Sequence, residues 1–130
     1  MPKQLKTDLR QLISFLASMT SDYQDILDSA MSRTVAEAAL RAERKVKLRT
    51  PVVTGQLRSG WRTTPAEKVG GAYVAEIYNN VEYAAYVEYG HRAGRNGTRW
   101  VEGRFMLTQS MAELERELPA IIRRRMAEAT

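Results

Sequence analysis

The dipeptide Thr50-Pro51 constrains this chain most, because it separates a helix-forming half from a half rich in strand and turn residues. Proline disfavours the helical conformation of the residue before it, so a helix that reaches Thr50 ends there. Upstream, apolar residues recur at helical spacing between Ile26 and Val46, and basic residues fill the last turns, where a helix dipole favours them. We therefore predict a long helix over residues 22–49.

A shorter helical segment precedes this helix. Apolar residues over 5–16 form one stripe at helical spacing. Ser, Thr and Asp residues over 18–22 are good N-caps, so we predict a break there and a new helix start at Asp22. Asp25 and Asp28 then fit the positive end of the second helix dipole.

The middle of the chain predicts short strands. Residues 61–64 and 72–78 have strand-like composition, and glycines and Pro65 separate them. Leu57 and Trp61 are candidate core residues. Residues 81–89 fit either a strand or one or two helical turns, and we favour the helical turns.

The last quarter predicts a loop followed by a helix. Glycines and arginines alternate over 91–104, a length typical of a functional or mobile loop. The C-terminal helix spans 105–129, and Pro119 either kinks it or begins a new helical segment.

We predict one α+β domain with a long N-terminal helix and a C-terminal helix packed on a small, mainly antiparallel β-sheet. Its segments are a helical segment (1–20), the long helix (22–49), a sheet region (54–90), the Arg/Gly-rich loop (91–104) and the C-terminal helix (105–129).

Charge is unevenly distributed along the 130 residues, whose net charge is +5. Residues 41–68 carry eight basic and two acidic groups, and 92–104 carry four arginines and one glutamate. Between them, 69–91 carry three glutamates and no basic group. This segregation indicates either contact with an acidic partner or head-to-tail pairing between copies. A solvated basic helix face beside a mobile loop explains it equally well.

Composition excludes several classes of chemistry. Without cysteine the chain has no disulfide, thiolate nucleophile or Cys-ligated metal, and its single histidine, His91, excludes a multi-histidine site. Asp22, Asp25 and Asp28 share a helix face that is able to hold a divalent cation, but helix-start charge explains them better. No catalytic constellation, cofactor motif or metal site is predicted. No apolar run reaches the ~20 residues of a membrane-spanning helix, and the charged N-terminus does not resemble a secretory signal.

Two non-enzymatic functions remain. The basic residues over 41–49 and the loop arginines are able to contact phosphates, which favours a small basic DNA-binding protein that makes non-specific contacts. Tyrosine, tryptophan and arginine also anchor protein interfaces, which favours an assembly subunit. Nothing indicates a sequence-specific reader or a small-molecule substrate.

Three ordered motifs carry a family resemblance. They are residues 50–59 (TPVVTGQLRS), 80–91 (NVEYAAYVEYGH) and 100–107 (WVEGRFML). In this order and spacing the chain, over roughly residues 25–125, resembles the bacteriophage tail-component family typified by gene product ten of phage HK ninety-seven. The resemblance implies a non-catalytic α+β subunit that forms a ring in the neck of a tailed phage and acts in head–tail joining, tail completion or tail termination. It implies localisation to the virion of a phage or prophage after assembly in the host cytoplasm, with copies of itself and neighbouring neck and tail proteins as partners.

Within these motifs we predict local roles. Pro51 ends the long helix, Thr54 caps a short turn, and Gly55 allows close backbone approach. Tyr83, Tyr86 and Val87 pack under the long helix. Glu88 pairs with Arg58 or with a loop arginine of a neighbouring copy. The loop arginines order on assembly. The complete set of candidate assembly residues is Pro51, Thr54, Gly55, Leu57, Tyr83, Tyr86, Val87, Glu88, Gly90, His91, Arg92, Arg95, Arg99, Gly103 and Phe105.

Overall fold

A computed structural model describes residues 9–52 and 55–130, and it begins with one uninterrupted helix, α1 (Leu9–Arg49). The predicted break over 18–22 is therefore wrong. Capping side chains stabilise a helix only where its amide groups lack partners, and within a continuous helix these residues are tolerated at a few tenths of a kcal/mol each. The aspartates predicted at a helix start consequently lie inside α1. Residues 5–8 of the predicted first helix lie outside the described residues.

Helix α1 ends at Arg49, as predicted, and a single helical turn, α2 (Gln56–Ser59), follows. Four short strands come next: β1 (Trp61–Thr63), β2 (Glu67–Val69), β3 (Ala72–Val74) and β4 (Ile77–Asn79). They form two antiparallel pairs, β1 with β4 and β2 with β3. The single strand predicted over 72–78 is thus two strands. The glycine turn at Gly70 and Gly71, both with positive φ, holds β3 against β2, whereas β4 returns to β1.

Residues 81–89 adopt the favoured helical form as α3 (Ala84–Tyr89). The predicted Arg/Gly-rich loop is instead an antiparallel hairpin of β5 (Gly90–Ala93) and β6 (Arg99–Glu102), joined through a 3₁₀ turn at Arg95–Gly97. Asn96 and Gly97 both have positive φ, as tight connections require. Their Asn-Gly sequence is a hairpin signal, and the loop prediction overlooked it.

The chain ends in α4 (Met106–Ala129), which runs antiparallel to α1. The helix continues through Pro119, so of the two predicted alternatives a new helical segment does not start there. Pro119 is exposed, as is residue 115, whose carbonyl loses its helical donor. Water is able to bond that carbonyl, which explains why the helix tolerates the proline. No helix in the described part of the chain is long and apolar enough to cross a membrane.

The core lies where the two long helices meet the strands. Val46, Leu57, Trp61 and Met106 form one buried cluster, against which Val87 of α3 packs. A second cluster of Ala42, Leu114 and Ile121 extends along the α1–α4 contact. The predicted core positions Leu57 and Trp61 are confirmed, and two helices with small antiparallel strand pairs confirm the α+β class.

Candidate functional site

Glu88 connects two motifs by capping a helix. Its carboxylate accepts hydrogen bonds from the backbone amides of Leu107 and Thr108, each at 2.8 Å, and from the Thr108 hydroxyl at 2.6 Å. These amides belong to the first turn of α4, which has no side-chain cap of its own. The negative charge also complements the positive end of the α4 dipole. Glu88, only 5% exposed, therefore holds the start of α4 against α3.

The predicted pairing of Glu88 with Arg58 does not occur. Both carboxylate oxygens face the α4 amides, and Arg58 forms no ion pair with any residue in the described ranges. The predicted alternative, a pair between Glu88 and a loop arginine of a neighbouring copy, stays a prediction. The capping role of Glu88 was not predicted, because Glu88 lies 19 positions before Leu107 and not at the position preceding the helix.

Two glycines fix the junction between α3 and the β5–β6 hairpin. A Cβ at Gly103 would lie 2.6 Å from the Tyr89 carbonyl carbon, and one at Gly90 would lie 2.5 Å from the Val101 carbonyl oxygen. Gly90 also has φ +87°, which side chains rarely adopt. The amide of Phe105 adds a 3.0 Å hydrogen bond to the Glu88 carbonyl. The second and third motifs thus meet through their backbones.

Around this junction lies a surface rich in exposed aromatic rings. Of the eight Phe, Trp and Tyr residues between 55 and 130, six are more than one-third exposed. We call this set the aromatic surface; it consists of Tyr78, Tyr83, Tyr86, Tyr89, Trp100 and Phe105. The prediction that Tyr83 and Tyr86 pack under the long helix is wrong, because α3 turns its Val87 side inward and its tyrosines outward.

The aromatic surface is continuous with the hairpin. The ring of Tyr86 stacks at 5.4 Å, centroid to centroid, on His91 of β5. The His91 Nδ1 atom is buried and has no hydrogen-bond partner among the described residues. Tyr78 and Tyr89 border one shallow hollow with Leu107. Phe105, at the start of α4, adopts the left-handed conformation (φ 48°), which is unfavourable for a large side chain.

The hairpin presents its cationic groups to solvent. Arg92, Arg95 and Arg99 are exposed and form no ion pair with any residue that the structure describes. Guanidinium groups bind carboxylates and the faces of aromatic rings well. The guanidinium groups of these three arginines are therefore available to bind a partner.

The first motif has a buried polar contact that the sequence did not reveal. Thr50 is 4% exposed; its hydroxyl donates to the Val46 carbonyl and accepts a 2.9 Å hydrogen bond from Trp61 Nε1. This contact ties the end of α1 to β1. Pro51 follows directly. Gly55 takes a positive φ of 81° before α2, but no described atom lies within 4 Å of the position of an added Cβ, so the predicted close backbone approach is wrong. Thr54, predicted to cap this turn, lies outside the described residues.

The basic end of α1 is largely neutralised by α4. Lys45 contacts Glu117 at 2.7 Å and also Glu113, Arg41 contacts Glu117 at 2.8 Å, and Arg49 contacts Glu113. Hydrogen bonds from Lys45 and Arg49 lower the pKa of Glu113 from 4.5 to about 2. The prediction that this helix end contacts phosphates is therefore not supported for these three cations, since they are engaged within the chain.

No cluster of three or more metal-ligating side chains exists among the described residues. Of the three α1 aspartates, Asp28 accepts hydrogen bonds from Tyr73 and, at 2.9 Å, from Lys68. These bonds lower its pKa from 3.8 to about 2. Asp28 therefore pins the β2–β3 hairpin to α1.

The fold is that of a small α+β protein, and the hairpin arginines and six aromatic rings of residues 55–130 lie outside its core. The family described as "Bacteriophage HK97-gp10, putative tail-component" matches residues 11–90, which is more than half of the chain. The chain therefore belongs to this family. No curated protein and no solved structure gave a significant match.

Proposed function

We propose that this protein is a non-catalytic structural component of the virion of a tailed phage or prophage, acting in the neck as a ring that completes the tail or joins it to the head. Family membership supports the tail-component role. The observation that carries the finer proposal is the aromatic surface. Over residues 55–130 the monomer leaves six of eight aromatic rings more than one-third exposed, and exposed apolar patches of this kind mark interaction sites.

Ring closure requires a head-to-tail contact between two different surfaces of the same chain. The hairpin offers Arg92, Arg95 and Arg99, whereas the aromatic surface offers ring faces beside the exposed carboxylate of Glu82. Arginine over a tyrosine ring is attractive, and aromatic–arginine contacts are characteristic of interface hot spots. We therefore assign the hairpin of one copy to the aromatic surface of the next. Gly90, Gly103 and Glu88 hold the two surfaces in a fixed relation.

The alternative, a small basic DNA-binding protein, has less support as the principal function. Three of its predicted phosphate-binding cations are neutralised by α4. An interface protein also explains the exposed aromatic rings.

Deletion of the gene from its phage, followed by negative-stain electron microscopy of the lysate, tests the proposed function. Filled heads beside separate tails of normal length indicate joining or completion, and overlong tails indicate termination. A plasmid copy of the intact gene should restore virions. Normal infectious virions in the deletion lysate would refute the neck role.

A further inference from the structure

A groove between α1 and the C-terminal half of α4 gathers arginines that the proposed ring contact does not use. Its volume is about 420 Å³. Arg33, Arg41 and Arg44 line it from α1, and Arg124 and Arg125 line it from α4. We call it the arginine groove. It lies on the long helices, away from the residues of the hairpin and the aromatic surface.

Glu37 forms ion pairs with three of the arginines that line this groove. Its side chain is 14% exposed and pairs with Arg41 at 2.8 Å, with Arg125 at 2.8 Å and with Arg124. Hydrogen bonds from Arg124 and Arg125 outweigh its desolvation and lower the pKa of Glu37, so it stays ionised. One carboxylate thus holds three guanidinium groups close together, although they repel one another.

The carboxylates in contact with the groove do not neutralise it. Five arginines face the anions of Glu37, Glu117 and Glu128, which leaves two positive charges in excess. Arg33 and Arg44 account for the excess, because both are exposed and neither forms an ion pair with a described residue. They lie eleven residues apart, which is close to three helical turns, so they share one face at a separation of about 16 Å.

We propose that the arginine groove binds the phosphodiester backbone of duplex DNA without sequence preference. DNA carries one charge per ~3.4 Å of each strand, so a row of guanidinium groups meets phosphates in any register. An acidic peptide would need carboxylates at matching spacing. Planar arginine forks also fit phosphate oxygens, whereas lysines act as point charges. A neck subunit that contacts DNA in this way would hold the packaged genome; the binding itself does not depend on ring formation.

The test is fluorescence anisotropy of the full chain with a labelled duplex of about 20 base pairs across a salt series. Contacts from Arg33 and Arg44, the two groove arginines that form no ion pair with a described residue, predict a slope of log K against log salt of about −1.8. The double variant Arg33→Ala, Arg44→Ala should bring the slope close to zero and weaken binding roughly tenfold or more at low salt. Alanine is a strong helix former, so α1 should remain folded, which circular dichroism verifies.

A matched control removes the same charge elsewhere. The variant Arg58→Ala, Arg116→Ala, at two exposed arginines outside the groove and outside the proposed ring contact, should leave the slope and affinity close to those of the unaltered chain. Equal losses in both double variants would overturn the proposal, since binding would then follow net charge alone. Competition by polyglutamate as effective as that by unlabelled duplex would also overturn it, because the groove would then be a site for an acidic protein. Either failure leaves the deletion phenotype, and hence the proposed neck role, unaffected.

Discussion

At the scale of single residues, the motifs of this family resemblance act on one another rather than alone. Glu88 in the second motif caps the helix that the third motif begins, and Gly90 and Gly103 bring the two backbones into contact. Thr50 in the first motif bonds Trp61 just beyond it. The Glu88 carboxylate and the Thr50 hydroxyl are both buried and hydrogen-bonded within the fold. These two residues therefore primarily determine stability and geometry.

Replacing Glu88 with Gln should destabilise the protein by about 1.5–3 kcal/mol, the range for hydrogen bonds to a charged group. Glutamine keeps one acceptor but turns an amide donor towards the Leu107 or Thr108 amide, and it removes the charge that favours the α4 dipole. Urea denaturation measures the change. The exposed variant Glu82→Gln is the control and should change stability by less than about 0.5 kcal/mol. Equal midpoints for both variants would mean that the cap contributes nothing.

Replacing Thr50 with Val should destabilise by about 1–3 kcal/mol, because Trp61 Nε1 then has no acceptor inside the core. Valine has nearly the same shape as threonine. The loss of unfolding free energy therefore measures the contribution of the hydroxyl and not of packing. Trp61 is buried, and tryptophan fluorescence should follow its unfolding in the same denaturation experiment. If the variant were as stable as the unaltered chain, the Thr50 hydroxyl would not be the partner that Trp61 needs.

Gly103→Ala should cost about 2 kcal/mol or more, because the new Cβ meets backbone that cannot rotate away. Gly55→Ala is the control. There no described atom lies within 4 Å, so only its left-handed conformation opposes the substitution, at about 1–2 kcal/mol. Thermal unfolding of both variants checks the order, and a larger loss at Gly55 would contradict the close approach.

At the scale of elements, the contact of α1 with α4 combines a narrow apolar seam with a row of ion pairs. Ala42, Leu114 and Ile121 form the seam, while Arg41, Lys45 and Arg49 meet the α4 carboxylates. These pairs are partly exposed, and individually such pairs contribute little. Together they set the register of the two helices and make their contact sensitive to acid.

Stability should fall as pH drops from about 4.5 towards 2. The folded pKa of Glu113 is depressed from 4.5 to about 2, so its contribution is present above the unfolded value and is lost as pH falls through the folded value. The variant Glu113→Gln should therefore lose less of its melting temperature over this window than the unaltered chain. Glu115→Gln, on the exposed side of α4, should follow the unaltered curve. Parallel curves for all three proteins would contradict the assignment.

An element is predictable from the sequence where the residues that determine it lie close to it in the chain. The end of α1, the helical turns of α3 and the core positions Leu57 and Trp61 follow from nearby proline and apolar spacing, and all were predicted. The hairpin over 90–102 was missed although Asn96-Gly97 signals it, because the surrounding glycines resemble a loop. The partners of Glu88 and of the α1 cations depend on residues far along the chain, so local patterns do not reveal them.

At the scale of the whole molecule, two surfaces are exposed to solvent in the monomer, namely the aromatic surface and the hairpin arginines. Both are attached to the same rigid junction at Gly90 and Gly103. A contact between them on successive copies would cover both at once. Because the two surfaces differ, each copy would keep one of each free until a ring closes.

A mixing experiment tests this head-to-tail contact. The hairpin variant Arg92→Glu, Arg95→Glu, Arg99→Glu and the surface variant Tyr86→Ala, Tyr89→Ala should each fail to assemble under conditions in which the unaltered chain forms closed oligomers. All five side chains are exposed, so both variants should stay folded. Each variant keeps the surface that the other has lost. Mixed together, they should form heterodimers that stop at two subunits, measured by light scattering after size exclusion.

The number of subunits in the complex that the mixed variants form distinguishes the possible arrangements. A head-to-tail contact between intact surfaces allows one bond per mixed pair, because the remaining free surfaces are both altered. A symmetric contact, in which each copy presents the same patch, would be damaged on one side in every mixed pair and would give no stable dimer. Variants that assemble like the unaltered chain would show that neither surface closes the ring, and the aromatic surface would then be a site for a neighbouring neck or tail protein.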